Sequence, residues 1–332
     1  NRVIWNPSDL TPAFSELIRR LVAERFDEEE VAVVTGGVEV GRAFSELPFD
    51  HLLFTGSTAV GRLVYQAAAK NLTPVTLELG GKSPAILCRD YPLEQAARSI
   101  AFGKFINAGQ TCIAPDYVLA PRERVEELAH ELLHQARRAY PQVADNDQYS
   151  SIITPRHHER LTKAIEEARA AGARVLSHED EGARERGKIG PTIILDAPAG
   201  TLFLTEEIFG PVLPIVPYDS LEDAAGFVAA RERPLALYCF SKDQRQHDRV
   251  LDLVLSGGAT LNGTILHIVN SALPFGGVGP SGIGAYHGIE GFRRFSHVRG
   301  VHKIGFINTM ERLGPPWGRM ADRLGQRLVK RR

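Results

Sequence analysis

The chain has 332 residues, and at about 150 residues per domain that length suggests two domains with a sizeable buried core. Its 39 Lys and Arg stand against 40 Asp and Glu for a formal net charge of -1, so no global field draws it to nucleic acid, anionic lipid or a polyanionic substrate. With 43% hydrophobic and 24% charged residues it falls outside the disordered and collagenous classes, and it holds no apolar run near the roughly 20 residues of a membrane span.

In chain order, Val3-Ile4-Trp5 reads as a strand. After Pro12, residues Phe14, Leu17, Ile18, Leu21 and Val22 recur at helical spacing. Val31 to Val34 is a short β-branched run closed by Gly36-Gly37, and a brief helix follows. Leu52-Leu53-Phe54 then leads into Thr55-Gly56-Ser57-Thr58-Ala59-Val60-Gly61 and a helix ending near Lys70, before another short strand at 75–79. Four strands alternating with three helices predict a parallel, doubly wound sheet. Beyond Gly80-Gly81 the alternation lengthens. Helices are expected over 93–107, 125–139, 157–171, 221–230 and 244–255, and strands over 117–119, 192–195, 212–216, 235–240 and 259–262. This predicts a second α/β domain. After Ser271 the text becomes glycine-rich, with Gly276, Gly277, Gly279, Gly282 and Gly284 close together, a loop shaped by backbone needs.

The chain opens at Asn1 on strand text, not on a signal peptide, and a segment is expected upstream of it. Its three cysteines, Cys88, Cys112 and Cys239, are too few and too scattered for a disulfide framework or a zinc site and suit a reducing compartment, so a cytoplasmic protein is expected. Cys88 and Cys239 lie in apolar runs and read as core. Cys112, in Asn107-Ala108-Gly109-Gln110-Thr111-Cys112, has polar, turn-forming neighbours. Peptide N–H groups there are expected to lower its pKa and to hold an oxyanion; a small buried hydrophobe is the alternative.

Three other segments invite chemistry. The Gly56 to Gly61 turn, where a strand gives way to a helix, presents N–H groups and the positive end of a helix dipole to a pyrophosphate, with the Ser57 hydroxyl as a further donor. It departs from the G-x-G-x-x-G fingerprint, and a plain turn with Ser57 or Thr58 as N-cap stays open. Glu78, at the end of an apolar strand, is a candidate general base with a raised pKa, or else an outward-facing strand residue. In Glu206-Glu207-Ile208-Phe209-Gly210-Pro211-Val212, a fixed carboxylate can take the two hydroxyls of a ribose while Phe209 packs nearby; an acidic loop with a core Phe is the alternative. Eleven histidines show no metal-ligand spacing, and His157-His158 reads as surface. No metal is expected.

In this order the segments resemble the aldehyde dehydrogenase superfamily over roughly residues 1 to 300. The resemblance is carried by Asn6-Pro7-Ser8-Asp9-Leu10-Thr11-Pro12, the Phe54 to Gly61 turn, Glu78-Leu79-Gly80-Gly81-Lys82-Ser83-Pro84, Gly109-Gln110-Thr111-Cys112, the run from Glu207 to Val212, and Leu273-Pro274-Phe275-Gly276-Gly277-Val278-Gly279. Ala285-Tyr286-His287-Gly288 and Phe295-Ser296-His297 resemble the branch that includes fatty, aromatic and coniferyl aldehyde dehydrogenases.

The resemblance implies a Rossmann-like nucleotide-binding domain, partial over 1–79, and an α/β catalytic domain over 80–272. A glycine-rich segment over 273–312 would return to the cofactor side, followed by a basic tail over 313–332. It implies Cys112 as nucleophile and Glu78 as general base. Gly56, Ser57, Thr58, Ala59, Val60, Gly61 and Leu79 would form the cofactor turn and its surroundings, with Glu207 and Phe209 at the nicotinamide ribose and ring. Asn6 and Asp9, where the family usually carries Lys and Glu beside the adenosine ribose, imply NAD over NADP, with NADP still admitted. An aldehyde substrate of coniferyl type, a homodimer and no nucleic-acid partner are expected. The resemblance also places the family's oxyanion-hole Asn upstream of Asn1, so a truncated, inactive relative acting as a nucleotide-binding or structural protein is the alternative. An acylating enzyme that passes the thioester to coenzyme A is a third reading, which Glu78 argues against.

In the tail, Met320, Leu324 and Leu328 recur every four residues among Arg319, Arg323, Arg327, Lys330, Arg331 and Arg332. Such a basic amphipathic helix suits an anionic membrane, but its narrow apolar stripe favours packing on protein or fraying in solvent.

Overall fold

The computed structural model describes every residue except 179, 309, 310, 312, 331 and 332. Residues 1–295 form one compact unit and 296–332 a second.

The first unit opens with β1 (Val3–Trp5), α1 (Pro12–Ala23), β2 (Val31–Val33), α2 (Val38–Ser45), β3 (Leu52–Thr55), α3 (Thr58–Ala69) and β4 (Val75–Glu78). The alternation agrees with expectation, but the single parallel sheet does not form. β1 pairs in parallel with β2, Val3 opposite Val31, and β3 with β4, Leu52 opposite Val75. Among the described residues no ladder joins β2 to β3. The free edge of β4 instead takes an antiparallel strand from the far end of the chain, β12 (Gly282–Ile283), with Gly282 opposite Glu78. Hydrophobic period identifies strands but not their partners.

The larger sheet has seven strands in the order β11-β10-β5-β6-β9-β8-β7. They are β5 (Pro84–Leu87), β6 (Tyr117–Pro121), β7 (Arg174–Ser177), β8 (Thr192–Leu195), β9 (Val212–Tyr218), β10 (Ala236–Phe240) and β11 (Gly258–Leu261). All neighbours are parallel except β7 and β8. The later helices in the chain are α4 (Leu93–Phe105), α5 (Val125–Ala139), α6 (Pro155–Ala170), α7 (Leu202–Thr205), α8 (Leu221–Ala229), α9 (Gln244–Leu253) and α10 (Gly288–Arg294).

Both faces of the sheet are covered, which explains why its inner strands are apolar throughout. Ala85, Leu87, Tyr238 and Phe240 pack with Ala97 and Ile100 of α4 and Leu128 and Leu132 of α5. Ile86, Cys88, Leu237 and Cys239, alternating with them, pack with Ala224 and Val228 of α8 and Val250 of α9. β5, β7 and β12 are missed by the sequence reading. β5 is four residues buried on both sides and lacks alternation, β7 is a half-exposed edge, and β12 is two residues of glycine-rich loop.

Helix starts follow local chemistry. The Thr154 hydroxyl accepts from His157 N at 3.1 Å to open α6, and Ser220 with Asp223 forms a capping box on α8. In the second unit, α11 (Arg319–Val329) leaves Met320, Leu324 and Leu328 exposed; Arg331 and Arg332 lie outside the described residues. Among those described, no helix is long and apolar enough to cross a membrane.

Candidate active site

Cys112 stands on a loop the backbone must be forced into. After α4 ends, Asn107 (φ 50°), Ala108 (φ 50°) and Gly109 (φ 72°) are left-handed in succession. Each non-glycine residue there costs about 1–2 kcal/mol. Gln110 holds the turn: its Nε2 donates to Asn107 O at 3.2 Å and Ser151 O at 3.0 Å, and its Oε1 accepts from Ile153 N at 2.8 Å. At Gly109 a Cβ would lie 2.2 Å from Gly210 O, so only glycine lets this loop touch the 207–210 segment. Strain of this kind collects at functional sites.

The sulfur is half-buried. The N–H groups of Cys112 and Ile113 do face it, as the sequence led one to expect, but their effect is overridden. Burial pushes the thiol up to about 11, and the Glu207 and Glu78 carboxyls add to the rise. The chain by itself therefore keeps Cys112 protonated, and a thiolate there requires a positive partner.

Glu78 ends β4 and is 3% exposed, so it is not an outward-facing strand residue. Neither carboxyl oxygen has a hydrogen-bond partner, and burial pushes its pKa up to about 8. Next to it, Gly56 N donates to Glu78 O at 3.0 Å, joining the β3–α3 turn to the base of β4. Of the turn's two hydroxyls, only that of Thr58 spends its proton within the protein. Ser57 is the N-cap, accepting from Val60 N at 3.4 Å, and Thr58 Oγ1 donates to Pro280 O at 3.0 Å. What remains for an anion is the Ser57 O–H, the backbone N–H row and the dipole of α3. Gly61 faces inward, where a Cβ would meet Leu79 at 2.5 Å; its role is helix-to-strand packing.

Glu207 folds back over Gly80, where a Cβ would come within 1.9 Å of its carboxylate, and Gly81 N–H donates to it. Burial nevertheless raises its pKa to about 7, with the Asp116 charge adding to the rise. Around it lies a network the sequence reading missed. Lys82 Nζ pairs with Asp116 and donates to Phe203 O at 2.8 Å and Glu206 O at 2.9 Å, while Asp116 Oδ1 accepts from Ile208 N at 2.9 Å. From the other side Arg160 donates to Glu207 O at 3.1 Å and Ile208 O at 2.8 Å. His157, expected at the surface, is half-buried with its Nε2 2.7 Å from Phe209 O. These partners lie 34 to 124 residues apart, in pairs that no local pattern joins. Only Lys82 carried a hint, as part of the Gly80-Gly81-Lys82 motif.

A cleft of about 1350 Å³ collects these parts: Thr55 to Ala59 at one end, Glu78 to Lys82, Gln110 to Cys112, and Glu206, Glu207 and Phe209, with Ile268, Phe275 and Tyr286 along it. Of the residues expected at the site, Asn6, Asp9, Val60 and Gly61 lie outside its lining. Asn6 donates to Val34 O at 2.7 Å at the end of β2, and Asp9 is exposed near Gly37.

A strand-to-helix glycine turn, a thiol and an unpartnered carboxyl share one cleft, an arrangement that suits a dinucleotide-dependent oxidoreductase. The glycine cradle beneath Glu207 and the free N–H row of α3 fit such a cofactor. A family model described as "Aldehyde dehydrogenase family" matches residues 1–301. The chain is 49% identical over 324 residues, 96% of its length and 67% of the relative's, to a "Probable coniferyl aldehyde dehydrogenase" of Caulobacter vibrioides. Among solved structures, one titled as the substrate-bound state of Staphylococcus aureus AldH matches with TM-score 0.87 and 40% identity, over 93% of this chain and 67% of that one. An aldehyde dehydrogenase of Mycobacterium tuberculosis complexed with NAD+ matches with TM-score 0.80 and 32% identity, over 89% and 62%. The chain belongs to the aldehyde dehydrogenase family, NAD(P)-dependent enzymes that oxidise aldehydes to carboxylic acids. It spans about two thirds of the length of these relatives.

Proposed function

We propose that this chain oxidises an aromatic, coniferyl-type aldehyde, with Cys112 as nucleophile and Glu78 as general base. The single observation that carries this reading is the shared cleft: Cys112, Glu78 and Glu207 line one cavity, with the aromatic rings of Phe275 and Tyr286 beside them. NAD(P)+, when bound, supplies the hydride acceptor and a positive charge. The Gly56 to Ala59 turn would hold its phosphates, Glu207 its nicotinamide ribose and Phe209 its ring, with Leu79 alongside.

The Cys112 thiol gives up its proton to ionised Glu78, which passes it to solvent; the sulfur adds to the aldehyde carbon and the carbonyl oxygen becomes an oxyanion, which the Cys112 N–H would meet. Loss of hydride from that carbon leaves a thioester on Cys112. Glu78, ionised, takes a proton from water, the hydroxide adds to the thioester, and the acid departs as the thiol is restored. The unpartnered oxygens of Glu78 support this role, since the protein engages none of their lone pairs and leaves them open to water.

The name of the Caulobacter relative supports the aromatic substrate. Asn6 in place of the family's usual Lys offers no cation to a 2′-phosphate and supports NAD over NADP. A homodimer in the cytoplasm completes the proposal.

Formation of NADH from coniferaldehyde, benzaldehyde and long-chain aldehydes tests it. The expected result is turnover fastest with the aromatic substrates, none with Cys112→Ala, and free acid as product with or without coenzyme A. Turnover that survives Cys112→Ala, or product that appears only as acyl-coenzyme A, would refute the roles given to Cys112 and Glu78.

A further inference from the structure

The segment from Glu207 to Phe209 is held in a conformation it would not adopt unaided. Phe209 sits at φ 49° without being glycine, and a residue in that region persists only where its surroundings over-determine it. Those surroundings come from the first turns of α6. Arg160 Nη2 donates to two successive carbonyls, Glu207 O at 3.1 Å and Ile208 O at 2.8 Å, and His157 Nε2 lies 2.7 Å from the third, Phe209 O.

A carbonyl only accepts, so that ring nitrogen must carry the proton, leaving Nδ1 as an acceptor. Arg160 Nε fills it, donating to His157 Nδ1 at 3.4 Å. The same guanidinium also pairs with Glu206 at 3.3 Å. Three consecutive carbonyls are thus fixed by two side chains that are themselves bonded to one another. Both also line the cleft.

We propose that Arg160 and His157 are positioning residues that set how Glu207 and Phe209 are presented to the nicotinamide half of the dinucleotide. This rests on the reading of Glu207 and Phe209 given above. The two residues act through the 207–209 backbone. Their loss should therefore weaken the nicotinamide end of the ligand and spare the adenine-diphosphate end, which the Gly56 to Ala59 turn meets on another element.

Isothermal titration calorimetry with NAD+ and with ADP reads this without turnover. For the wild-type chain NAD+ is expected to bind more tightly than ADP. Arg160→Ala and His157→Ala should raise the NAD+ dissociation constant about tenfold and leave that for ADP within about twofold. His157→Gln, whose amide still donates to Phe209 O, should recover most of the loss. Equal NAD+ affinity in Arg160→Ala and wild type overturns the proposal, as does a parallel loss for NAD+ and ADP.

A wild-type chain that binds ADP as tightly as NAD+ overturns the roles of Glu207 and Phe209, and the clamp's ligand with them. Nitrogen NMR of the wild-type chain checks the network without any variant. Neutral His157 with its proton on Nε2 is expected, and a proton on Nδ1 overturns the clamp.

Discussion

Glu78, the proposed general base, is buried where its charge costs the fold stability. Its carboxyl belongs to a buried strand end with no donor to satisfy it, which holds the pKa near 8 against an ordinary 4.5. The folded state thus retains a proton that the unfolded chain releases, and stability is fully present below about pH 4.5 and falls as pH rises through 8. Glu78→Gln removes that dependence. In thermal unfolding from pH 5 to 9 the variant is expected to match the wild type at the acid end and to exceed it at the alkaline end, by an amount on the order of a few kcal/mol. Its thioester hydrolysis should fall with it. A wild-type melting temperature that rises from pH 5 to 9 would contradict the burial of this group. The position of Glu78 before Gly80-Gly81 and that of Cys112 after Gly109-Gln110 were legible in the sequence, because each sits in a short motif. Their protonation was only half legible. The rise at Glu78 was expected, whereas the rise at Cys112 depends on desolvation by side chains distant in sequence.

At the scale of elements, the short α7 and the segment after it are tied to the sheet by one buried ion pair. Lys82 follows β4, Asp116 precedes β6, and between them they engage Phe203 O, Glu206 O and Ile208 N. Removing one partner of such a pair leaves the other charge buried and uncompensated. Lys82→Met is accordingly expected to cost about 3 kcal/mol, measured by urea denaturation, and Lys82→Met with Asp116→Asn to recover a good part of it. A single variant as stable as the wild type would show that the pair holds nothing. Helix limits were readable to within a residue or two where periodicity is clear, as for α5, and where capping agrees with it, as for α8. The edges of the sheets were not. β7 is half-exposed, and β12 is a stretch of loop that becomes a strand only because β4 offers it an edge.

At the scale of the molecule, the chain returns on itself. Residues near 280, far from β3 and β4 in sequence, complete their sheet and anchor the Thr58 hydroxyl, so the β3–α3 turn is supported from both ends of the first unit. The tail is a different matter. α11 exposes Met320, Leu324, Leu328 and Val329, too little apolar surface for firm insertion in a bilayer. Co-sedimentation with anionic liposomes is expected to be the same with and without residues 313–332. Loss of pelleting on that deletion would make the tail a membrane contact.

The sequence by itself determined the α/β class, the existence and order of most strands and helices, and the motifs carrying Cys112, Glu78, the Gly56 turn and Glu207. Hydrophobic period, glycine placement and capping chemistry are properties of neighbouring residues and survive in a linear text. Only the tertiary structure decided which strands pair, that the first four divide between two ladders, that burial pushes the Cys112 thiol up, and that His157 faces the cleft and not solvent. Each of those outcomes is set by burial and by partners many residues away, and desolvation has no signature in local order.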